Sequence, residues 1–235
     1  MSDPIRLLIH GASGRMGQSL LRLCAEREDC RVVGAVSRRV GQRVIDGVPQ
    51  FAASELSAVP TFDVAIDFSL AEAFDAMLAL CVERGAALVS GTTGLEEAQR
   101  AAIDEAGRRI PLLWAANFSL GVAVLNDLVE RAAAALKGWD CDIVEAHHAQ
   151  KKDAPSGTAL ALGASAAQGG AQARYASLRA GDIVGEHTVQ FTTAGERIEL
   201  VHRAGNRDIF ARGALHAAAN LAGRAPGVYR LRDLL

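Results

Sequence analysis

The chain has 235 residues, of which 50% are hydrophobic and 5% aromatic, and its formal net charge at pH 7 is −2. This apolar content supports a sizeable core and excludes a disordered chain, and the length fits one domain or two small ones. The near-neutral charge argues against the strongly basic surface that binding to a nucleic acid requires.

The first half of the chain alternates short apolar runs with amphipathic stretches. The apolar runs predict β-strands at Ile5–His10, Val32–Val36, Val64–Phe68, Ala87–Ser90 and Leu112–Ala115. Between them, the spacing of apolar residues predicts helices at Met16–Arg27, Ala71–Arg84 and Glu96–Arg108. Continuous apolar strands separated by helices are typical of a parallel sheet covered on both faces, and right-handed crossovers then produce a doubly wound fold.

The pattern changes after Asn117. We predict helices at Leu120–Leu136, Ser156–Ala167 and Asp208–Leu221, strands at Asp142–His147, Glu186–Thr193 and Arg197–His202, and a flexible loop from Gln168 to Ala173. The last two strands alternate polar and apolar residues around a short turn, which indicates a hairpin with one free face. We therefore predict an α/β protein with a second, α+β domain inserted before the last helix.

A glycine-rich loop follows the first predicted strand. Gly11, Gly14 and Gly17 have the spacing G-x-x-G-x-x-G, and the first predicted helix begins within this loop. Glycines permit a tight turn and let backbone N–H groups approach a pyrophosphate at the positive end of the helix dipole. A plain strand-to-helix turn is the alternative, but a dinucleotide motif requires this strand–loop–helix context. The loop predicts a Rossmann-like dinucleotide-binding domain.

The residues after the second predicted strand indicate which dinucleotide binds. An acidic residue at this place holds the ribose 2′-OH in NAD-binding proteins, whereas this chain has Ser37-Arg38-Arg39. Two guanidiniums favour a 2′-phosphate through charge-assisted hydrogen bonds, although two solvated surface arginines would give the same sequence. We therefore predict that NADPH is the preferred cofactor and NADH a less favoured one.

The densest group of reactive side chains lies between a predicted strand end and a helix start. The segment contains His147-His148, then Lys151-Lys152, and then Pro155-Ser156-Gly157-Thr158. Histidines carry protons near neutral pH, and a helix N-terminus beside lysines binds carboxylates or phosphates. Taken singly, the histidines and lysines fit a solvated surface, and Asp153 fits a helix cap. Together they indicate a site for a small anionic substrate with acid–base chemistry.

Cysteine spacing and hydropathy indicate the cellular compartment of the protein. The four cysteines (Cys24, Cys30, Cys81 and Cys141) form no CxxC pair, and no third ligand joins the two adjacent histidines at metal-binding spacing. We therefore predict reduced thiols and no metal. The chain has no apolar run of membrane-spanning length and does not begin with the basic region of a secretory signal. These features predict a cytoplasmic protein with no membrane partner and no nucleic-acid partner.

The segment Asp142–Ala159 resembles the signature of the 4-hydroxy-tetrahydrodipicolinate reductase family, which acts in the diaminopimelate route to lysine in bacteria and plants. The resemblance continues through Gly11–Gly17, Gly91–Gly94, Ala115–Ser119 and Arg179–His187, so it covers nearly the whole chain. The histidine–lysine segment with its Pro-Ser-Gly-Thr end is the specific part, whereas the glycine loop by itself is not.

The resemblance implies an assembly and a reaction. Residues 1–117 and 207–235 would form the dinucleotide-binding domain, and residues 118–206 a substrate-binding and tetramerisation domain of a homotetramer. The reaction would be hydride transfer from NAD(P)H to the ring of 4-hydroxy-tetrahydrodipicolinate, a small dicarboxylate, with loss of the 4-hydroxyl as water.

The resemblance also implies roles for individual residues. His147 looks like the proton donor or acceptor, and Lys151 like the second proton donor. The clamp on the two substrate carboxylates would consist of His148, Lys151, Gly157 and Thr158. The cofactor contacts would be Gly11, Ala12, Ser13, Gly14, Arg15, Met16, Arg38, Gly91, Thr92, Thr93, Ala115, Ala116, Asn117 and Phe118. Ser37 stands where the family often has an acidic residue that permits use of both cofactors, which again favours NADPH.

Two other functions stay open at the level of the sequence. A different NAD(P)-dependent dehydrogenase of a small dicarboxylate or amino acid would share the two-domain plan, but the Pro-Ser-Gly-Thr clamp after two histidines disfavours it. A non-catalytic NADP-binding regulator would keep the glycine loop without needing the histidine–lysine segment.

Overall fold

The computed structural model describes residues 3–235, and the chain divides into two compact units. The first unit runs to Phe118 and includes Phe210–Leu235, and the second is Ser119–Ile209. These boundaries lie within three residues of the division expected above, which placed them after Asn117 and at position 207.

The first unit contains eight strands and most of four helices. The strands are β1 (Ile5–His10), β2 (Cys30–Ser37), β3 (Val44–Ile45), β4 (Val48–Ala52), β5 (Val64–Asp67), β6 (Ala87–Ser90), β7 (Pro111–Trp114) and β12 (Gly227–Tyr229). The helices are α1 (Arg15–Ala25), α2 (Ala71–Arg84), α3 (Glu97–Gly107) and α6 (Asp208–Leu221), with short 3-10 helices at Ala53–Ala58 and Leu231–Leu234.

The eight strands form one sheet in the order β12-β7-β6-β5-β1-β2-β4-β3. All neighbours pair in parallel except β3 and β4. All four residues of β5 and of β6 are buried, as expected for strands covered on both faces. The chain leaves β1 toward β2 on one side and returns to β5 on the other. This change of direction is the topological switch point where doubly wound sheets bind ligands.

The second unit contains α4 (Leu120–Ala135), β8 (Asp140–His147), α5 (Gly157–Gln168), β9 (Ala173–Arg179), β10 (Gly185–Thr193) and β11 (Glu196–Ala204). Its four-stranded sheet has the order β11-β10-β8-β9, with only β8 and β9 parallel. Alternate residues of β8 and β10 are buried, and Ile143, Val189 and Phe191 pack with Val129 of α4 and Leu162 of α5. The unit therefore has the α+β architecture that the alternating strands predict.

Three strand regions were not predicted. Strands β3 and β4 and a 3-10 helix occupy residues 44–58, β9 follows α5, and β12 lies at one edge of the larger sheet. The predicted loop from Gln168 to Ala173 is wrong at both ends, because Gln168 belongs to α5 and Ala173 to β9. The five interior residues of β9 are all exposed in this chain, so its hydrophobic pattern is weak. Among the described residues, no helix combines the length and apolar character needed to cross a bilayer.

Candidate functional site

The glycine loop between β1 and α1 requires glycine at two positions. Gly11 has a φ of +78°, and a Cβ there would lie 2.4 Å from the backbone oxygen of Phe68. A Cβ on Gly17 would lie 2.4 Å from the backbone oxygen of Gly11. Gly14 is the N-cap of α1 and has no side chain to occupy the first-turn N–H groups. The loop is therefore tight and presents a helix N-terminus to an anion.

Arginines at the end of β2 lie beside this loop. Ser37 is buried, and its hydroxyl accepts a hydrogen bond from the Ser13 N–H at 3.1 Å. Arg38 and Arg39 follow it and are exposed. Neither guanidinium has a hydrogen bond or ion pair with another described residue. Two uncompensated positive charges therefore lie next to the glycine loop.

Two further predicted cofactor segments lie at the same edge of the sheet. Gly91–Thr93 follows β6 and Ala115–Phe118 follows β7, and the carboxyl ends of parallel strands share one edge with the end of β1. Their exposure differs, since Thr93 and Ala116 are exposed whereas Thr92 and Phe118 are each 1% exposed. Buried side chains of this kind shape a site more than they touch a ligand.

In the second unit, His147 forms a close pair with a buried carboxylate. His147 ends β8, and its Nδ1 lies 2.5 Å from Oε2 of Glu145, which is 1% exposed. Residues two apart on a strand share a face, so the pair follows from the strand itself. No described residue forms a hydrogen bond with Nε2 of His147. The ring is therefore oriented by Glu145, with its second nitrogen available for a reacting group.

The charge of Glu145 is compensated from a second side. Arg179, at the end of β9, donates from Nη2 to Oε1 at 2.7 Å and from Nη1 to Oε2 at 2.9 Å. Burial raises the pKa of Glu145, but the hydrogen bonds from Arg179, Ser177 and His147 outweigh burial and hold that pKa at about 2. Burial lowers the pKa of His147, and the nearby charges of Lys151 and Arg179 add to this, while Glu145 opposes it. The pair is thus an ionised carboxylate beside a histidine that releases its proton readily.

The start of α5 is tied to the same carboxylate. The Ser156 N–H donates to Oε1 of Glu145 at 3.2 Å, and the Ser156 hydroxyl accepts from the Ala159 N–H as the N-cap of α5. The suggestion that Asp153 caps this helix is wrong. Gly157 and Thr158, the first two residues of α5, are therefore held beside His147 by Glu145.

The Ser156 hydroxyl also contacts His187 of β10, with Oγ 3.1 Å from Nε2. His187 is 4% exposed, and its ring meets that of His147 edge-on with centroids 5.1 Å apart. Burial and the proximity of His147 lower the pKa of His187 to about 4. His187 therefore stays neutral at physiological pH and supports the site without adding charge.

Lys151 and His148 complete the segment, and both side chains are less deeply buried than His147. Nζ of Lys151 lies 2.8 Å from both carboxylate oxygens of the exposed Asp153. Nε2 of His148 lies 3.4 Å from Nη2 of Arg207. Lys152 is exposed and has no partner among the described residues. The side chain of Lys151 is therefore held in place by Asp153, whereas Lys152 is solvated.

Four residues of this site were absent from the predicted set: Glu145, Ser156, Arg179 and His187. The first two were within reach of sequence reasoning, through period-two spacing from His147 and through N-cap chemistry. Arg179 and His187 come from β9 and β10, so only strand pairing brings them close. Across residues 3–235, no cluster of three or more His, Cys, Asp or Glu side chains is arranged to hold a metal ion.

Comparisons with known proteins agree across the whole chain. Residues 5–118 match the family model for the N-terminus of dihydrodipicolinate reductase, and residues 121–235 match the model for its C-terminus. A 4-hydroxy-tetrahydrodipicolinate reductase of Stenotrophomonas maltophilia is 74% identical over 99% of this chain and 98% of its own length. One from Xanthomonas campestris pv. campestris is 68% identical over 100% of this chain and 99% of its own length.

Solved structures share the fold at lower identity. A dipicolinate-bound dihydrodipicolinate reductase from Paenisporosarcina sp. TG-14 has a TM-score of 0.86 at 22% identity, covering 99% of this chain and all of that one. A diaminopimelate dehydrogenase of C. glutamicum has a TM-score of 0.63 at 15% identity, covering 98% and 93%. The full-length relatives and both family models show that the chain belongs to the dihydrodipicolinate reductase family and catalyses the NAD(P)H-dependent reduction of 4-hydroxy-tetrahydrodipicolinate to tetrahydrodipicolinate, with loss of water, in lysine and diaminopimelate biosynthesis.

Proposed function

We propose that His147 and Lys151 carry the protons of this reaction and that the start of α5 holds the substrate. The observation that carries the proposal is the buried Glu145–His147 pair. Glu145 binds one nitrogen of the His147 ring, and no residue in the described part of the chain binds the other. Loss of the hydroxyl as water requires a proton at the leaving oxygen, and His147 supplies or accepts one at Nε2. Lys151 is the second donor, since among residues 3–235 its Nζ pairs only with the exposed Asp153.

The substrate's two carboxylates would bind at the clamp predicted above. Its members are His148, Lys151, Gly157 and Thr158. Support comes from the first turn of α5, where Gly157 and Thr158 sit at a positive helix end that Ser156 and Glu145 hold in place. Two negative charges bound here would raise the pKa of His147 and favour its proton-donating form. The dipicolinate bound to the Paenisporosarcina protein is also a dicarboxylate, which supports this class of ligand.

We place the cofactor on the first unit and infer a preference for NADPH. The proposed contacts are Gly11, Ala12, Ser13, Gly14, Arg15, Met16, Arg38, Gly91, Thr92, Thr93, Ala115, Ala116, Asn117 and Phe118. When bound, the nicotinamide supplies the hydride. Arg38 is exposed without a described partner, and Ser37 already accepts from the Ser13 N–H, so this edge offers positive charge and no carboxylate to a ribose phosphate.

We further propose a homotetramer built through the second unit. The sheet of that unit has α4 and α5 on one face, and its other face carries Leu178, Ala146, Val144 and Val201 in adjacent register positions. Leu178 is 58% exposed and Val201 is 41% exposed in the single chain, which favours burial against another copy. Light scattering of the purified protein measures this assembly directly, and a monomer would contradict it.

We propose the cytoplasm as the compartment. All four cysteines are free thiols, including the buried pair Cys24 and Cys30, whose Sγ atoms lie 3.2 Å apart without a bond. Two thiols at this short distance stay reduced in a compartment that is rich in glutathione or thioredoxin. Fractionation of cells that express the protein locates it.

One assay tests the proposed cofactor preference. NADPH and NADH are compared at saturating, freshly generated 4-hydroxy-tetrahydrodipicolinate, and loss of the reduced nicotinamide absorbance is recorded. We expect turnover with both cofactors and a lower KM for NADPH. A clear preference for NADH would refute the role of Arg38.

A further inference from the structure

Four buried polar side chains meet at the carboxyl ends of central strands in the first unit. His10 ends β1, Asp67 ends β5, Ser90 ends β6, and Thr92 lies two residues further on. Their exposed fractions are 3%, 0%, 0% and 1%, respectively. Buried polar groups are costly unless they are hydrogen-bonded, so a cluster of four at a ligand-binding edge calls for a function. We name these four residues the Asp67 network.

The carboxylate of Asp67 accepts four hydrogen bonds. Oδ1 accepts from Nδ1 of His10 at 2.9 Å and from the Ser69 N–H at 3.1 Å. Oδ2 accepts from the Ser90 hydroxyl at 2.9 Å and from the Thr92 hydroxyl at 2.8 Å. Burial raises the pKa of Asp67, but the hydrogen bond and charge of His10, with the other donors, outweigh burial and leave that pKa lowered. Asp67 is therefore an ionised carboxylate that accepts hydrogen bonds from the ends of β1 and β6 and from the loops after β5 and β6.

These bonds hold the backbone of the Gly91–Thr93 loop. The Thr92 hydroxyl and its N–H are both engaged, the N–H with the Ser90 hydroxyl at 3.3 Å, and its carbonyl accepts from Nε1 of Trp114 at 2.8 Å. The Gly91 N–H donates to the backbone oxygen of Asp67 at 2.8 Å. Every polar group of Thr92 is thus used inside the protein, which leaves its neighbours Gly91 and Thr93 to face a ligand.

The same network also borders the glycine loop. Gly11 follows His10 directly, and a Cβ on Gly11 would lie 2.4 Å from the backbone oxygen of Phe68, the residue after Asp67. The Phe68 N–H donates to the backbone oxygen of His10 at 3.1 Å. A shift of Asp67 would therefore reach both loops that surround the proposed cofactor position.

We propose that Asp67, paired with His10, is a positioning residue that fixes the Gly91–Thr93 loop in the shape that receives NAD(P)H. The proposal rests on the cofactor contacts proposed above and changes one of them, because it assigns Thr92 to the support of the loop and not to contact with the cofactor. It also assigns a role to His10, Asp67 and Ser90, which the cofactor motif does not include.

A matched pair of variants tests the role of the carboxylate. Asp63 pairs with Arg6 at the other end of the same two strands, with Oδ1 2.6 Å from Nη2, and both side chains are partly exposed. We expect Asp67→Asn to raise both Kd and KM for NADPH about tenfold, with KM for 4-hydroxy-tetrahydrodipicolinate changed less than about twofold. Asp63→Asn should change neither KM. Equal effects of the two variants on Kd for NADPH would overturn the proposal.

Variants of Thr92 and Thr93 test the positioning role even if Asp67→Asn does not fold. Thr92→Val replaces the hydroxyl with a methyl group and should weaken NADPH binding, while Thr92→Ser keeps the hydroxyl and should retain most of the affinity. Thr93→Ala tests whether the loop contacts the cofactor at all. Weaker binding in Thr93→Ala with unchanged binding in Thr92→Val would refute the positioning role alone. Unchanged binding in both would refute the loop contacts as well.

Discussion

Each unit of this reductase contains a buried carboxylate paired with Nδ1 of a histidine. The two pairs differ in the other partners of the carboxylate and in the exposure of the histidine. In Glu145–His147 the carboxylate also binds the guanidinium of Arg179, and the histidine side chain is 11% exposed. In His10–Asp67 the other donors are two hydroxyls and one backbone N–H, and the histidine side chain is 4% exposed.

The difference in charge compensation of the two carboxylates determines whether the histidine can act as an acid–base group. Arg179 neutralises Glu145 independently of His147, so the histidine can gain or lose its proton while the carboxylate stays compensated. Among the described residues that bond to the Asp67 carboxylate, His10 is the only one that can carry a charge. The first pair is suited to moving protons, and the second to holding a loop in place.

The largest expected effect comes from replacing the two histidines in parallel. His147→Gln should lower kcat by about two to three orders of magnitude with a modest change in KM, because it removes the proposed general acid or base. His10→Gln should leave kcat nearly unchanged and act on NADPH binding. Steady-state kinetics with both substrates measure the split. An unaltered kcat in His147→Gln would end the distinction between the pairs.

The adjacent lysines offer a matched control for the second donor. Lys151→Ala should lower kcat and weaken substrate binding together, reducing kcat/KM about a hundredfold, because our proposal gives Lys151 both proton transfer and carboxylate binding. Lys152→Ala should have little effect, since Lys152 is exposed and without a described partner. Comparable losses in both variants would mean that only the summed positive charge matters.

A smaller effect, on pH dependence, tests the coupling between Glu145 and His147. Glu145 raises the pKa of His147 through its hydrogen bond and charge, against burial. Glu145→Gln removes that charge, so the pKa of His147 should fall and the limb of the pH profile that reports its protonated form should move to lower pH. We expect kcat to fall about tenfold near neutral pH. Profiles that coincide would show that Glu145 does not tune His147.

Sequence reasoning reached most of the fold because the buried parallel strands carry continuous apolar runs. It missed β9 and β12, which lie at sheet edges, where short or exposed strands have little pattern of their own. The histidine–lysine segment was found because its members are consecutive in the chain. Arg179, His187, His10, Asp67 and Ser90 were not, because sheet pairing between distant segments brings these groups together, and no spacing rule predicts that register.

The smallest expected effect separates charge recognition from loop support within the first unit. Arg38→Ala should raise KM for NADPH about fivefold, because an exposed charge-assisted hydrogen bond is screened by solvent. KM for NADH should stay nearly constant, since NADH lacks the 2′-phosphate. A variant of the Asp67 network should instead weaken the binding of NADPH and NADH equally. The loop that this network supports lies at the strand ends and carries no arginine that could recognise the 2′-phosphate. The ratio of the two KM values therefore distinguishes the mechanisms, and equal losses in Arg38→Ala would assign Arg38 to general attraction of the cofactor.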